Sequence, residues 1–257
     1  MSNHFLVSWT GSKRREINDI IPYFNLDNID TIIEPYCGSS AISVHLSEKE
    51  QKFKYILNDN DEKLISLYHI IKDYNELQYI EDEMNKILKG DIDEKTYYEI
   101  LAKDTILSFI LARTIYYARI GYYNSVKRQP KKVNFTDKKI TKFMREEDVQ
   151  LYNIDAIDII KNNIDNEKAL IYIDPPYLKT RNKDFYSNIK NVKKLKDVFI
   201  YLSTLKDIKC KIYLNILYNE ELDTLLTNFK TIHIYNKRYC FTKSNKPIQH
   251  ILYEFNA

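Results

Sequence analysis

Short β-rich runs alternate with helical patterns along most of this chain. The runs fall at residues 31–34, 55–57, 149–154, 169–173, 211–217, 231–235 and 250–255, and helical periodicity fills 41–49, 62–72, 156–162, 192–205 and 220–229. Apolar strands separated by amphipathic helices bury both faces of a sheet, so this order predicts an α/β sandwich on a largely parallel sheet. The last two runs are joined by too short a stretch for a helical crossover, and an antiparallel hairpin is expected there. Between about residues 73 and 142 the alternation stops. That interval reads as helices followed by a basic, proline-containing loop, inserted into an α/β unit formed by 1–72 and 143–257. A length of 257 residues accommodates one such domain and its insertion.

Hydrophobic residues make up 44% of the chain and charged residues 29%, the balance of a globular protein in water. No apolar run approaches the ~20 residues that cross a bilayer. The N-terminal stretch MSNHFLVSWTGSKRRE lacks the charged-then-apolar layout of a secretory signal, so a cytoplasmic location away from membranes is expected. Cys37, Cys210 and Cys240 form no CxxC pair, and the histidines are scattered; neither a disulfide framework nor a metal site is expected.

The net charge of +3 is small but unevenly spread. Residues 76–104 hold nine acids against four bases, whereas 113–145 hold ten Lys/Arg opposed only by Asp137. A second basic stretch runs from Lys179 to Lys196. Cations clustered beside Tyr and Asn suit phosphate contacts, and they equally suit a solvated lysine-rich face.

The chain has four glycines, and one of them marks a candidate ligand turn. In Thr31-Ile-Ile-Glu34-Pro35-Tyr36-Cys37-Gly38-Ser39-Ser40-Ala41 a buried strand ends in a tight turn and small residues open a helix. In doubly wound folds this first turn lies at the carboxyl edge of the sheet, where ligands bind, and helix N-terminal N–H groups can hold a carboxylate. About 20 residues on, Leu57-Asn58-Asp59 ends a strand in an acid placed to meet ribose hydroxyls. An ordinary βαβ unit with an Asn/Asp helix cap fits the same residues. The GxGxxG fingerprint is absent, against NAD or FAD and against a nucleotide-binding oxidoreductase.

The sharper motif is Ala169-Leu-Ile-Tyr-Ile-Asp174-Pro175-Pro176-Tyr177. An apolar strand runs into a carboxylate, two prolines and an aromatic ring. The prolines fix φ and remove backbone donors while their carbonyls remain acceptors. The product is a rigid acceptor cluster beside a flat π surface, which suits an amino group on an aromatic base. A strand-terminating turn is the plainer alternative.

These motifs together resemble the Dam-type (class alpha) DNA adenine N6-methyltransferases, along nearly the whole chain. The segments that carry the resemblance are Trp9-Thr-Gly11-Ser12-Lys13, Glu34-Pro-Tyr-Cys-Gly38, Leu57-Asn58-Asp59, Leu64-Ile-Ser-Leu-Tyr68, Arg119-Ile-Gly121-Tyr122-Tyr123-Asn124 and Asp174-Pro-Pro-Tyr177, in the family's order. The resemblance implies a Rossmann-like methyltransferase sandwich: a mostly parallel seven-stranded sheet with an antiparallel C-terminal hairpin and a helical target-recognition insertion at 73–142. It implies S-adenosylmethionine as cofactor, held by Trp9, Lys13 (near the methionine carboxylate), the turn Glu34, Pro35, Gly38, Ser39 and Ser40, Asp59 on the ribose, Asp155 on the adenine amino group, and Asp174. Asp174 and Pro175, stiffened by Pro176, would bind the target N6 amino group while Tyr177 stacks on a flipped-out adenine in duplex DNA. Arg119, Tyr122, Asn124, Lys127, Arg128, Lys131, Lys132 and Asn134 would contact DNA.

Three departures stand out. The family has glycine where this chain has Ser40, and a left-handed backbone there would be costly for serine; it has Phe at Tyr36. The segment after Asn124 follows the family hairpin only loosely, so the target site is not readable. An RNA adenine methyltransferase and a catalytically impaired DNA-binding homologue are the alternatives. Pairing with a cognate restriction endonuclease, and monomer against weak dimer, stay open.

Overall fold

The computed structural model of the protein describes residues 6, 7, 9, 11–90, 92–114, 132–176, 189–237 and 248–256, the side chains of 189–194 excepted. Its centre is a seven-stranded sheet made of β1 (Thr31–Glu34), β2 (Lys54–Asn58), β3 (Asp148–Tyr152), β4 (Ala169–Ile173), β5 (Lys211–Leu217), β6 (Phe229–Lys237) and β7 (Ile248–Phe255). The strand order is β3-β2-β1-β4-β5-β7-β6. Strands β3, β2, β1, β4 and β5 are mutually parallel, and β7 runs antiparallel to both β5 and β6. The expected hairpin is present, with β7 slotted between β5 and β6, so the Rossmann-like fold read from the sequence holds.

Both faces of the sheet are covered, as the alternation requires. Along β1, Ile32 faces one hydrophobic cluster and Ile33 the other; along β4, Leu170 and Tyr172 face the first, with Ala169, Ile171 and Ile173 on the second. All five β4 residues are buried, the mark of a central parallel strand. The second face is packed by α8 (Ala156–Lys161), α9 (Ile189–Ser203) and α10 (Glu220–Leu225). The first face carries α1 (Ile17–Ile20), α2 (Ala41–Leu46) and α3 (Glu62–Lys72).

The helices α4 (Tyr74–Leu88), α5 (Glu94–Ala102), α6 (Ile106–Thr114) and α7 (Lys139–Glu146) add to that same first-face core. Asp73 and Asp93 cap α4 and α5 by accepting from Glu76 N and Thr96 N, as sequence caps should. Leu77, Ile80, Met84, Phe109, Phe135 and Phe143 join one continuous cluster with Ile32, Tyr55 and Leu67. Phe143 meets Tyr55 edge-on at 4.9 Å between ring centroids, so α7 seals β2 directly. The helix at 139–146 crosses the expected boundary at residue 142, and the described helices between 74 and 146 share one hydrophobic cluster with the sheet. Among the described residues no helix is long and apolar enough to cross a membrane, and no group of acidic, Cys or His residues could hold a metal ion.

Strand order sets where a ligand can sit. From β1 the chain proceeds to β2 and β3 on one side, then returns to β4 on the other. Crossovers leave β1 and β4 in opposite directions, which opens a crevice at their carboxyl ends. Glu34 ends β1, Asn58 ends β2, and Asp174 directly follows β4.

Candidate active site

The turn after β1 is held from three directions. Its Gly38 N–H donates to Asp59 Oδ2 at 3.0 Å, and its carbonyl accepts from the buried Tyr68 hydroxyl. Ser39 Oγ donates to Ser12 Oγ at 2.7 Å, which ties the turn to the N-terminal segment. Gly38 has φ +46, and a Cβ there would lie 2.7 Å from Trp9 Nε1. Glycine therefore serves twice: it permits the left-handed backbone and leaves room for the indole. Ser40 is also left-handed, at φ 48 and ψ 37. The strain foreseen for serine at this position is real.

Asp59 is largely committed to the fold. Besides Gly38 it accepts from Asp61 N at 3.0 Å through Oδ1. Burial raises its carboxyl above the ordinary range, with those two backbone bonds opposing. Each oxygen of a carboxylate accepts more than one bond, so the group can bind hydroxyls while it pins the turn. Asn58, part of the sequence motif but given no role there, is a buried staple: Nδ2 donates to Pro35 O (3.0 Å) and Ile154 O (3.1 Å), and Oδ1 accepts from Ile154 N (3.0 Å). Asp155 lies beyond the end of β3 as the N-cap of α8, accepting from Ile157 N at 3.0 Å.

Glu34 faces inward and takes an unexpected partner. Its Oε1 accepts from Ser43 N (3.1 Å) and Ser43 Oγ (2.5 Å), so the protein's own carboxylate occupies an N–H in the first turn of α2. Burial pushes the Glu34 carboxyl up to about 7, against the pull of the Ser43 bonds. The sequence had offered that helix end to a ligand carboxylate; here it is partly satisfied from within.

Lys13 and Asp174, read from the sequence as cofactor and target residues, form one ion pair. Lys13 Nζ lies 2.5 Å from Asp174 Oδ2 and 3.2 Å from Gly11 O, with the lysine side chain 4% and the aspartate side chain 16% exposed. Burial acts to lower the Lys13 ammonium, but Asp174, Tyr172 and Glu16 outweigh it and hold it above the ordinary lysine range. For Asp174, burial lifts the carboxyl and Lys13 pulls it back. The other oxygen, Asp174 Oδ1, is out of solvent contact and has no hydrogen-bond partner among the described residues. A buried carboxylate oxygen left unpaired costs more than a neutral acceptor would, so a donor brought to this oxygen would be favoured. Pro175 is buried beside it and Pro176 exposed.

On the far side of the turn, Arg113 of α6 lies over the Phe109 ring (3.7 Å to its centroid) and the Trp9 ring (4.9 Å), and reaches Asp61 Oδ2 at 3.3 Å. This cation was not singled out in the sequence; its only signal was a base inside an apolar helix. It links the last described turn before residue 115 to the Trp9–Gly38 wall.

Of the residues assigned to DNA, Lys132 is exposed, and Asn134 is exposed with Oδ1 accepting from Asp137 N at 3.1 Å. The segment around them is pinned to α4 by Asn85, which accepts from Val133 N (2.8 Å), and by buried Glu81, which accepts from Phe135 N (2.7 Å). Arg119, Tyr122, Asn124, Lys127, Arg128, Lys131 and Tyr177 lie outside the described residues.

The strand order, the glycine turn after β1 and the acceptor segment after β4 define an α/β methyltransferase. The particular kind follows from the sequence of the whole unit. The model of D12 class N6 adenine-specific DNA methyltransferases matches residues 9–241, and the chain belongs to that family. No curated protein matches it. Among solved structures, a "delta-N METTL16 MTase domain" is similar at 8% identity and TM-score 0.38, over 95% of this chain and 81% of that one. A precorrin-6y C5,15-methyltransferase from Geobacter metallireducens GS-15 is similar at 10% identity and TM-score 0.38, over 98% of this chain and 93% of that one.

Proposed function

We propose that the protein transfers a methyl group from S-adenosylmethionine to the N6 amino group of an adenine swung out of duplex DNA. The observation that carries this reading is Asp174 Oδ1, a buried acceptor without a partner among the described residues, at the topological switch point and next to a stiff Pro-Pro segment. An exocyclic amino group supplies the missing donor, and the Pro175 carbonyl accepts its second hydrogen.

The residues present fit the cofactor. A glycine turn too tight for a Cβ abuts Trp9, and a carboxylate at the end of β2 stands where ribose hydroxyls are bound in doubly wound folds. Trp9, Lys13, Glu34, Pro35, Gly38, Ser39, Ser40, Asp59 and Asp155 would line its site. The cofactor would supply an electrophilic sulfonium methyl.

The protein's own residues have three tasks. Asp174 and Pro175 draw the amino hydrogens into a geometry that frees the nitrogen lone pair, which is otherwise delocalised into the ring. Lys13 keeps Asp174 in place and compensates its charge. Tyr177 stacks on the extruded base, whose removal from the duplex costs a few kcal/mol. Fixed acceptors and positioning supply the acceleration, with no covalent enzyme intermediate.

Residues 73–142 are assigned as the target-recognition insertion, with Arg119, Tyr122, Asn124, Lys127, Arg128, Lys131, Lys132 and Asn134 toward DNA. Their charge supports this: ten Lys/Arg against one acid over 113–145. Long-read sequencing of DNA from cells that express the chain should detect N6-methyladenine at one short motif, and an Asp174→Ala variant should leave none. Unmodified DNA from cells with the folded wild type would overturn the reading.

A further inference from the structure

A second layer of buried charge lies behind the Lys13–Asp174 pair, and neither the resemblance nor the proposed reaction accounts for it. Glu16, 3% exposed, accepts from Tyr235 Oη at 2.9 Å on Oε2 and from Lys237 Nζ on Oε1. With its one hydrogen given to Glu16, Tyr235 Oη accepts from Asn215 Nδ2 (2.8 Å), which also donates to Tyr172 Oη (3.0 Å). Tyr172 is two residues before Asp174 on β4, and Glu16 closes the short 3-10 turn Lys13–Arg15. The network thus returns to both members of the first pair, through β4 on one side and the Lys13 turn on the other.

The groups that bear on the Lys13–Asp174 pair come from every packed element. They are Glu16 from the Lys13 turn, Glu34 from β1, Tyr172 from β4, Tyr235 and Lys237 from β6, and His250 from β7, which stacks on Tyr235 at 5.2 Å. His250 is held neutral: burial, then Lys13 and Lys237, depress it to about 3. Apart from Glu34, whose carboxyl is pushed up to about 7, the charges that remain are two cations and two anions, paired Lys13–Asp174 and Lys237–Glu16.

A buried ion pair is a poor way to stabilise a fold, because desolvation consumes most of the attraction and apolar replacements often do as well. The Glu16–Lys237 pair therefore calls for another role. We propose that Glu16 and Lys237 are positioning residues that set the charge state of the Lys13–Asp174 pair: Lys237 favours the ionised Asp174 acceptor, and Glu16 holds Lys13 as its cation. The proposal rests on the reading of Asp174 as the hydrogen-bond acceptor for the target amino group. Electrostatic influence runs in the required directions, since Lys13 and Lys237 oppose the burial that lifts Asp174, while Glu16 adds to it.

The two residues must act with opposite signs, which gives the test. Full-length protein carrying carboxyl-13C aspartate is titrated by NMR, with the Asp174 resonance identified by its loss in Asp174→Asn. Lys237→Met should move the Asp174 titration to higher pH and Glu16→Gln to lower pH, each by roughly half a pH unit or more for neighbouring buried charges. The double variant, neutral at both positions, should return close to the wild type. The acidic limb of kcat/KM for DNA methylation should follow the same order. A purely structural role would lower rates without moving the limb. If Lys237→Met does not fold, the Glu16→Gln and double-variant titrations still carry the sign. Unmoved titrations, or two single variants that shift the same way, would overturn the proposal. Opposite NMR shifts in a protein that transfers no methyl group would instead retain the network and reject the reaction.

Discussion

Ser40 offers a clean test of how the turn under the proposed cofactor is built. It sits in the left-handed region at φ 48 and ψ 37, and as N-cap of α2 it makes no side-chain cap bond. Its hydroxyl donates to Tyr68 Oη at a long 3.3 Å and lies within reach of the Cys37 thiol. Ser40→Ala and Ser40→Gly both lose those contacts, so their difference isolates the backbone. A β-carbon in this region costs about 1–2 kcal/mol. Glycine returns about 0.5–1 kcal/mol of the gain through its freer unfolded chain. Ser40→Gly should therefore exceed Ser40→Ala in stability by about 0.5–1 kcal/mol, which at roughly 2–4 °C per kcal/mol for a chain of this size is ~1–4 °C in Tm. Urea unfolding of both variants at one pH, with equal m-values, is the assay. An alanine variant as stable as the glycine variant would refute the strain argument.

Two further outcomes are expected. Gly38→Ala places a Cβ 2.7 Å from Trp9 Nε1 on a φ of +46; it should lose about 1–2 kcal/mol of stability and weaken S-adenosylmethionine binding about tenfold by calorimetry, whereas unchanged affinity would remove Trp9 from the cofactor wall. Glu34, raised from 4.5 to about 7, favours folding fully below about pH 4.5 and loses that contribution as pH rises through about 7. Glu34→Gln should flatten that window and exceed the wild type at pH 8 by up to about 3 kcal/mol in urea unfolding, and a variant less stable than wild type at pH 8 contradicts the assignment.

What the sequence made readable was local. The strands at 31–34, 169–173 and 211–217 stand where their apolar runs predicted, because a central parallel strand buried on both faces has little alternative. The turn at Gly38 and the Asp-Pro-Pro segment were visible for the same reason, since backbone geometry is written in Gly and Pro. Pairings across long separations were not. Lys13 and Asp174 meet over 161 residues, and Glu16 and Lys237 over 221, with no local pattern to announce either. Asn215 was the one available hint, a polar residue in the otherwise apolar run Ile212–Leu217, buried because Tyr172 and Tyr235 satisfy it. Helix ends also drifted: α10 stops at Leu225, since Phe229 already pairs with Phe255 in the sheet. Asp155, which follows β3, caps α8 through one oxygen.

Asp174 as the acceptor of an adenine amino group is tested most directly by product analysis. Purified protein is incubated with S-adenosylmethionine and either duplex DNA or structured RNA, and the digested nucleosides are identified by mass spectrometry. N6-methyladenine should appear from the duplex DNA arm and fall at least a hundredfold with Asp174→Asn, on the scale of one lost electrostatic contact to a reacting group (about 3 kcal/mol). Methylation of RNA alone, of another base atom, or undiminished in Asp174→Asn would contradict it.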